Sequence, residues 1–218
     1  MNTEWFDWHQ SSIQRHTDIW QLTDFLRPEI YTALEQEVQS LEFNQIQPTS
    51  LIAEMTMTPL CLELGGRLLP YMSWLLGREV KLTNIRYVVN LERCEFAPHL
   101  DGTHLAGNVQ IYMPETDIDA QELGTWFCVD DAANAWARQH EADLQQGSMP
   151  PIEDRHWLLA PYRRNSGYLH LNIDRKIHRT RPVPQGVRRP SLLFNYTLRE
   201  GESHGIELEW YRKIGVCI

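Results

Sequence analysis

At 218 residues, with 42% hydrophobic and 22% charged side chains, the chain is long enough to bury a core without metal or disulfide staples, and its composition excludes extensive disorder. A formal net charge of −9 sets the surface as a whole against polyanions, which makes nucleic acid a poor partner.

The opening stretch MNTEWFDWHQSSIQRH has neither the positive region nor the apolar run of a signal peptide. Nor does any apolar run approach the roughly 18 residues of a membrane span. The expectation is a soluble, cytoplasmic chain. Trp5, Phe6 and Trp8 cluster near the terminus and are expected to pack across a barrel mouth or onto a partner. From Ile19 to Glu42 the residues Leu22, Phe25, Leu26, Ile30, Leu34 and Val38 recur at the helical period, with Asp24 and Pro28 as start signals. A second helix is predicted from Pro59 to Leu76, carrying a stripe of Leu60, Leu64, Leu68, Leu69 and Met72, with Gly77 as its stop.

Past Gly77 the chain turns to short β-branched and aromatic runs: VKLTNIRYVVNL, NVQIYMP, TWFCVD, SGYLHLNI, RPSLLFNYTL and IELEWYRKI. Several such strands predict a sandwich or jelly roll. Ala132 to Glu153 is a polar insertion, helical at first and ending in GSMPP, and is expected to form a surface flap. The plan is one domain over 1–218, mainly β with N-terminal helices (α+β): 1–77 mostly helical support, 78–218 a jelly-roll core with insertion 132–153. The four cysteines, Cys61, Cys94, Cys128 and Cys217, form no CxxC pair and are read as reduced thiols.

The densest chemistry lies in FAPHLDG at 96–102. On a strand, residues two apart share a face, so His99 and Asp101 would present an imidazole and a carboxylate side by side. A third ligand must come from a distant strand, where His178 stands at the head of IHRTRPVPQGVRRPS. Two histidines and one carboxylate leave three positions open on an octahedral metal, the number Fe(II) needs to take a bidentate cosubstrate and dioxygen together. The bland reading is a chance HxD pair among nine histidines. His170, eight residues before His178, is a pocket-wall or core histidine and the alternative third ligand, while His104 reads as a loop residue.

Around these residues the sequence resembles the 2-oxoglutarate and Fe(II)-dependent dioxygenase superfamily, in particular its prolyl-4-hydroxylase-like branch. Phe96 and Pro98 ahead of His99 match its aromatic-x-x-His-x-Asp stretch, GNVQIYMP its next strand and ELGTWFC its Gly-Gly-x-Thr strand. His178, Pro182, Val183, Gly186 and a following arginine match its ending. The likeness spans about Ile85 to Thr197. It departs at Asn90, where a tyrosine is common, at Arg93, where a glycine is, and at Leu123 in place of the first glycine of the pair.

The resemblance implies a double-stranded β-helix holding Fe(II) through His99, Asp101 and His178, with 2-oxoglutarate as cosubstrate. It also implies dioxygen as oxidant and hydroxylation of a small-molecule or peptidyl substrate, with release of succinate and carbon dioxide. The far carboxylate of 2-oxoglutarate needs a buried cation, and an arginine fork suits it. Spacing from His178 points to Arg188, whereas the family's Arg-x-Ser pattern points to Arg189 with Ser191. We favour Arg189, because Arg189, Ser191, Leu193 and Asn195 alternate on one strand face. The hydroxyl of Tyr112 is assigned to the same carboxylate, against a plain reading as a strand tyrosine. Arg175, Lys176, Arg179, Arg181, Arg188 and Arg189 surround His178, either as a solvated face or as a mouth that draws an anionic substrate. The competing function is a cupin-like metal-binding module or an isomerase on the same fold. A nucleic-acid demethylase of the superfamily is disfavoured by the charge.

Overall fold

The computed structural model describes residues 5–6, 12–54, 58–115 and 120–199. In chain order these form β1 (Ser12–His16), β2 (Ile19–Thr23), α1 (Pro28–Gln39), β3 (Gln45–Gln47), β4 (Ser50–Glu54) and α2 (Pro59–Leu76). There follow β5 (Val80–Asn90), β6 (Gly107–Tyr112), β7 (Thr125–Cys128), α3 (Asp131–Gln139) and α4 (Glu141–Gln145). The last described elements are β8 (Trp157–Ala160), β9 (Ser166–Leu171), β10 (His178–Thr180) and β11 (Arg189–Leu198). The strands make an eight-stranded sheet in the order β1-β2-β9-β6-β11-β5-β4-β3 and a three-stranded sheet in the order β10-β7-β8. Every pairing is antiparallel. Among the described residues no helix is long and apolar enough to cross a membrane.

Alternation along the strands sorts the two faces of the large sheet. On β11 the residues Leu192, Phe194 and Tyr196 join Val109 and Ile111 of β6 and Leu169 and Leu171 of β9 in one apolar cluster. That cluster also takes in Leu34 of α1 and Leu64, Leu68 and Met72 of α2, so the helices cover this face. The same three strands turn Arg189, Leu193, Asn195, Asn108, Gln110, Tyr112 and Tyr168 to the other side, where they line a cavity. A half-polar inner face is therefore written into β6, β9 and β11.

α2 begins with proline in its first turn and ends at Gly77, whose φ of +62° lets its N–H reach back to Ser73 and Trp74 carbonyls. The span Ile19–Glu42 is not one helix. Its first five residues are β2, paired with β9 and β1, and the helix starts at Pro28. Leu22, Phe25 and Leu26 all reach the core, from the end of a strand and the turn after it, and so mimic helical spacing. Trp5 and Phe6 are core as well: Phe6 packs on Phe25 at 5.0 Å and on Tyr71 at 5.8 Å. Trp8, Cys217 and the run IELEWYRKI lie outside the described residues. Cys61, Cys94 and Cys128 are buried and free.

The insertion is docked rather than a loose flap. Asp130 caps α3 by accepting from Ala132 and Ala133 N–H, and Ala133, Ala137 and Leu144 pack with Leu100, Cys128, Trp157 and Ile177. Asn134 donates to the Cys128 carbonyl (3.0 Å) and accepts from Ile177 N–H (2.8 Å), joining β7 to the approach to β10.

Gly124 closes the small sheet. A Cβ there would stand 1.8 Å from the Ala160 carbonyl oxygen of β8, whereas at Gly66 on α2 a Cβ meets nothing within 4 Å. Gly124→Ala should therefore destabilise by about 1–3 kcal/mol or more, and Gly66→Ala should stabilise by up to about 1 kcal/mol. Thermal melts of the two variants should shift in opposite directions, and a neutral Gly124→Ala would contradict the close approach.

Candidate metal centre

The spacing predicts a strand at His99, whereas His99 sits in an extended segment outside the regular strands that runs beside β10. His99 and His178 exchange two backbone hydrogen bonds of 3.0 Å, N–H to carbonyl in each direction. Directly opposed residues of an antiparallel pair project to one face, and the two imidazole centroids are 4.2 Å apart. Nδ1 of His99 lies 2.8 Å from the Ala97 carbonyl, and Nδ1 of His178 lies 3.1 Å from the Lys176 carbonyl. A carbonyl can only accept, so both Nδ1 atoms carry a proton, and in the neutral ring the lone pair is left on Nε2.

Asp101 completes the group. Its Oδ1 is 3.6 Å from His178 Nε2, and its Oδ2 accepts from Asn108 Nδ2 at 3.1 Å. Its backbone carbonyl accepts from Arg175 Nε at 2.9 Å, and the Arg175 guanidinium is gripped by both Glu141 carboxylate oxygens of α4 at 2.7 and 2.8 Å. The docked insertion thus reaches a candidate ligand through one arginine. One donor atom from each of His99, Asp101 and His178 lies within 4.8 Å of the others. Burial would raise the Asp101 pKa, but the facing His170, His178 and His99 imidazoles outweigh it and hold the carboxyl well below the usual carboxylate range. Burial pushes His178 down to about 4, against the pull of Asp101.

An ionised carboxylate and a neutral imidazole are the states in which these groups bind a metal. Two nitrogens, one carboxylate oxygen and carbonyl-fixed Nδ1 atoms fit a divalent transition metal such as Fe(II). Of the alternative histidines, His104 is exposed in a turn and His170, though fully buried, is not part of the group.

Arg189 lines the same cavity, of about 260 Å³, as the three candidate ligands. It is 3% exposed, and among the described residues no carboxylate pairs with it. The hydrogen-bond partners turn the Asn90 amide oxygen to Arg189, where it accepts from Nε (3.2 Å) and Nη2 (2.8 Å). The Leu123 carbonyl accepts from Nη1 at 3.1 Å. Three of the five guanidinium N–H groups are thereby engaged, and one remains on each Nη, the pair that can grip a carboxylate as a fork. Asn90 and Leu123, two departures from the resembled pattern, are the residues that hold the arginine.

Arg188 faces outward and pairs with Glu115 at 3.1 Å. Ser191 is buried, but its hydroxyl accepts from Gln110 Nε2 at 2.7 Å and it stands outside the cavity lining. Tyr112 is in the lining. Its hydroxyl accepts from Thr125 N–H at 2.8 Å, with Thr125 Oγ1 at 3.1 Å and the Ala160 carbonyl at 3.3 Å as acceptors for its proton. Burial raises its pKa to about 12.

The basic cluster does not form a free mouth. Lys176 is buried near Asp18 and Asp131, Arg175 is paired as above, Arg181 pairs with Glu122, and Arg179 lies 4.2 Å over Trp157. Sequence reasoning missed Asn108. Its signal was an asparagine inside a strand, a place that residue seldom takes.

No family model matches the chain, and no curated protein matches it in sequence. Solved structures do match in fold. HygX from Streptomyces hygroscopicus, with nickel, 2-oxoglutarate and hygromycin B bound, superposes with a TM-score of 0.60 at 15% identity, over 84% of each chain. The non-haem α-ketoglutarate-dependent epimerase SnoN from nogalamycin biosynthesis gives 0.58 at 13% identity, over 88% of this chain and 83% of its own. An oxidoreductase of the 2OG-Fe(II) oxygenase family from Burkholderia pseudomallei gives 0.57 at 12% identity, over 87% and 89%. The chain has the jelly-roll fold of the 2-oxoglutarate/Fe(II)-dependent oxygenases. Nothing in these likenesses singles out the prolyl-4-hydroxylase-like branch.

The depressed His178 pKa fixes the sign of a pH effect in metal-free protein. Between about 4 and the ordinary value of 6.5 the unfolded chain holds a proton that native His178 lacks, so stability falls as pH drops through that window. The slope contributed is at most about 1.4 kcal/mol per pH unit. Asp101, depressed from 3.8, adds a loss of the same sign at still lower pH. Calorimetric melts should show a falling midpoint from about pH 6.5 to about pH 4, flattened by His178→Gln. An equal slope in the variant would contradict the assignment.

Proposed function

We propose that this chain is an Fe(II)- and 2-oxoglutarate-dependent oxygenase acting on a small molecule, with hydroxylation of an unactivated C–H bond as its reaction. One observation carries the reading. The His99, Asp101 and His178 donors and a buried guanidinium lacking a carboxylate partner among the described residues line one cavity. A buried cation without its anion is costly, so the site is built for an anion that arrives from outside. Isomerisation without a cosubstrate, or a cupin-like binding role, leaves that arginine unexplained. The fold neighbours support the cofactors, since HygX binds nickel and 2-oxoglutarate and SnoN depends on α-ketoglutarate.

Iron bound at the triad, with cosubstrate and dioxygen, would supply the oxidation of a substrate C–H bond coupled to conversion of 2-oxoglutarate to succinate and carbon dioxide. The protein contributes placement. Arg189 would receive the distal carboxylate on its two remaining N–H groups, while Asn90 and the Leu123 carbonyl stop the guanidinium from turning. Leu123, Tyr112, Tyr168 and Leu193 wall the cavity and limit water around the bound dicarboxylate. Phe127 stacks on His178 at 5.5 Å and fixes the ring plane. The cavity volume lies just under the roughly 300–1,000 Å³ of ligand pockets. It suits a small dicarboxylate, with the substrate entering from the open side by Phe96, which is 44% exposed.

A second reading is inversion of a carbon centre, favoured by the SnoN likeness. A product heavier by one oxygen supports hydroxylation, and one of unchanged mass supports inversion. In metal-loaded protein Arg189→Ala should weaken 2-oxoglutarate binding by about 100-fold or more, the usual result of removing one partner of a buried ion pair, while Arg188→Ala should stay within about twofold. Calorimetric titration of 2-oxoglutarate decides this. Equal losses in the two variants would sink the assignment to Arg189.

A further inference from the structure

His170 is fully buried, and neither of its ring nitrogens has a hydrogen-bond partner among the described residues. Phe127 packs on one side of the ring, 5.2 Å between centroids. Nδ1 lies 3.7 Å from Asp101 Oδ2, too long for a full hydrogen bond and short enough to become one with a small shift. The same Oδ2 accepts from Asn108. Asn108 and His170 are directly opposed partners in the β6–β9 ladder, so two neighbouring strands aim a side-chain nitrogen at one carboxylate oxygen. The other oxygen, Oδ1, is the one that faces His178 Nε2.

We propose that Asn108 and His170 are positioning residues that clamp Oδ2 of Asp101, so that the carboxylate offers a metal only Oδ1. This rests on the reading of His99, Asp101 and His178 as metal ligands. The consequence lies in coordination number. A carboxylate bound through both oxygens fills two positions of an octahedral ion, leaving two open sites instead of three. A bidentate cosubstrate and dioxygen together need three. The clamp accounts for an otherwise unexplained buried imidazole and for an asparagine inside a strand, where an apolar residue would pack without polar atoms to satisfy.

The test uses the full chain and Co(II) alone as probe, read by titration and by the visible ligand-field spectrum, with thermal melts to confirm folding. Asn108→Leu and His170→Phe should each weaken Co(II) binding by about 10- to 100-fold and change the spectrum as Asp101 becomes free to bind through both oxygens. His170→Asn, whose amide nitrogen stands near the place of Nδ1, should recover much of the affinity and the wild-type spectrum. Asn108→Asp keeps the volume but sets a like charge against Oδ2, and should weaken binding as well. Wild-type affinity and spectrum in folded His170→Phe or Asn108→Asp would overturn the proposal, as would a His170→Asn no better than His170→Phe. Failure of the underlying reading looks different: wild type would not bind Co(II), or His99→Ala would bind it equally well.

Discussion

Two backbone hydrogen bonds between His99 and His178 are the constraint on which the rest of the site depends. They tie the segment ahead of β6 to the first residue of β10, and thereby bring residues 79 positions apart in the chain to adjacent places on one face. Everything else adjusts orientation. The Ala97 and Lys176 carbonyls set the tautomers, Asn108 turns the carboxylate, and Arg175 anchors the Asp101 backbone. Without the bridge, these secondary contacts would orient groups that never meet.

The cavity between the sheets holds two poles of opposite sign: the Asp101 carboxylate among imidazoles, and the Arg189 guanidinium among amide and carbonyl oxygens. Among the described residues no carboxylate pairs with Arg189, and the contacts of Asp101 to His178 and His170, at 3.6 and 3.7 Å, are longer than hydrogen bonds. A cation is complementary to the first pole and a carboxylate to the second. Their presence in one cavity matches a ligand set comprising a metal and a dicarboxylate better than either alone. The polar inner face of β6, β9 and β11 places such groups against a rigid, helix-backed sheet, which keeps their geometry fixed.

How much of this was legible in the sequence follows from how local each signal is. α2 could be read to the residue because Pro59 and Gly77 act on their own neighbourhood. β5, β6, β7, β9 and β11 were visible in their β-branched and aromatic runs. β2 reads as helix because Leu22, at the end of the strand, and Phe25 and Leu26, in the turn after it, happen to keep the helical spacing, and only pairing with β9 decides. The docking of Ala132–Glu153 and the burial of Trp5 and Phe6 depend on partners far away in the chain, and no local pattern reports them. His99, Asp101 and His178 were named through spacing and family likeness. The preference for Arg189 over Arg188 came from strand alternation, and the structure buries the first and exposes the second. Asn90, Asn108 and the Leu123 carbonyl were missed as functional parts, because their roles consist of what they hold.

On the proposed function the triad and Arg189 form one site for iron and 2-oxoglutarate. The most direct test is an anaerobic titration of 2-oxoglutarate into Fe(II)-loaded protein, recording the visible metal-to-ligand charge-transfer band. The wild type should give a saturable band that is absent in His99→Ala. Bound iron with no band at saturating 2-oxoglutarate would contradict the proposed function.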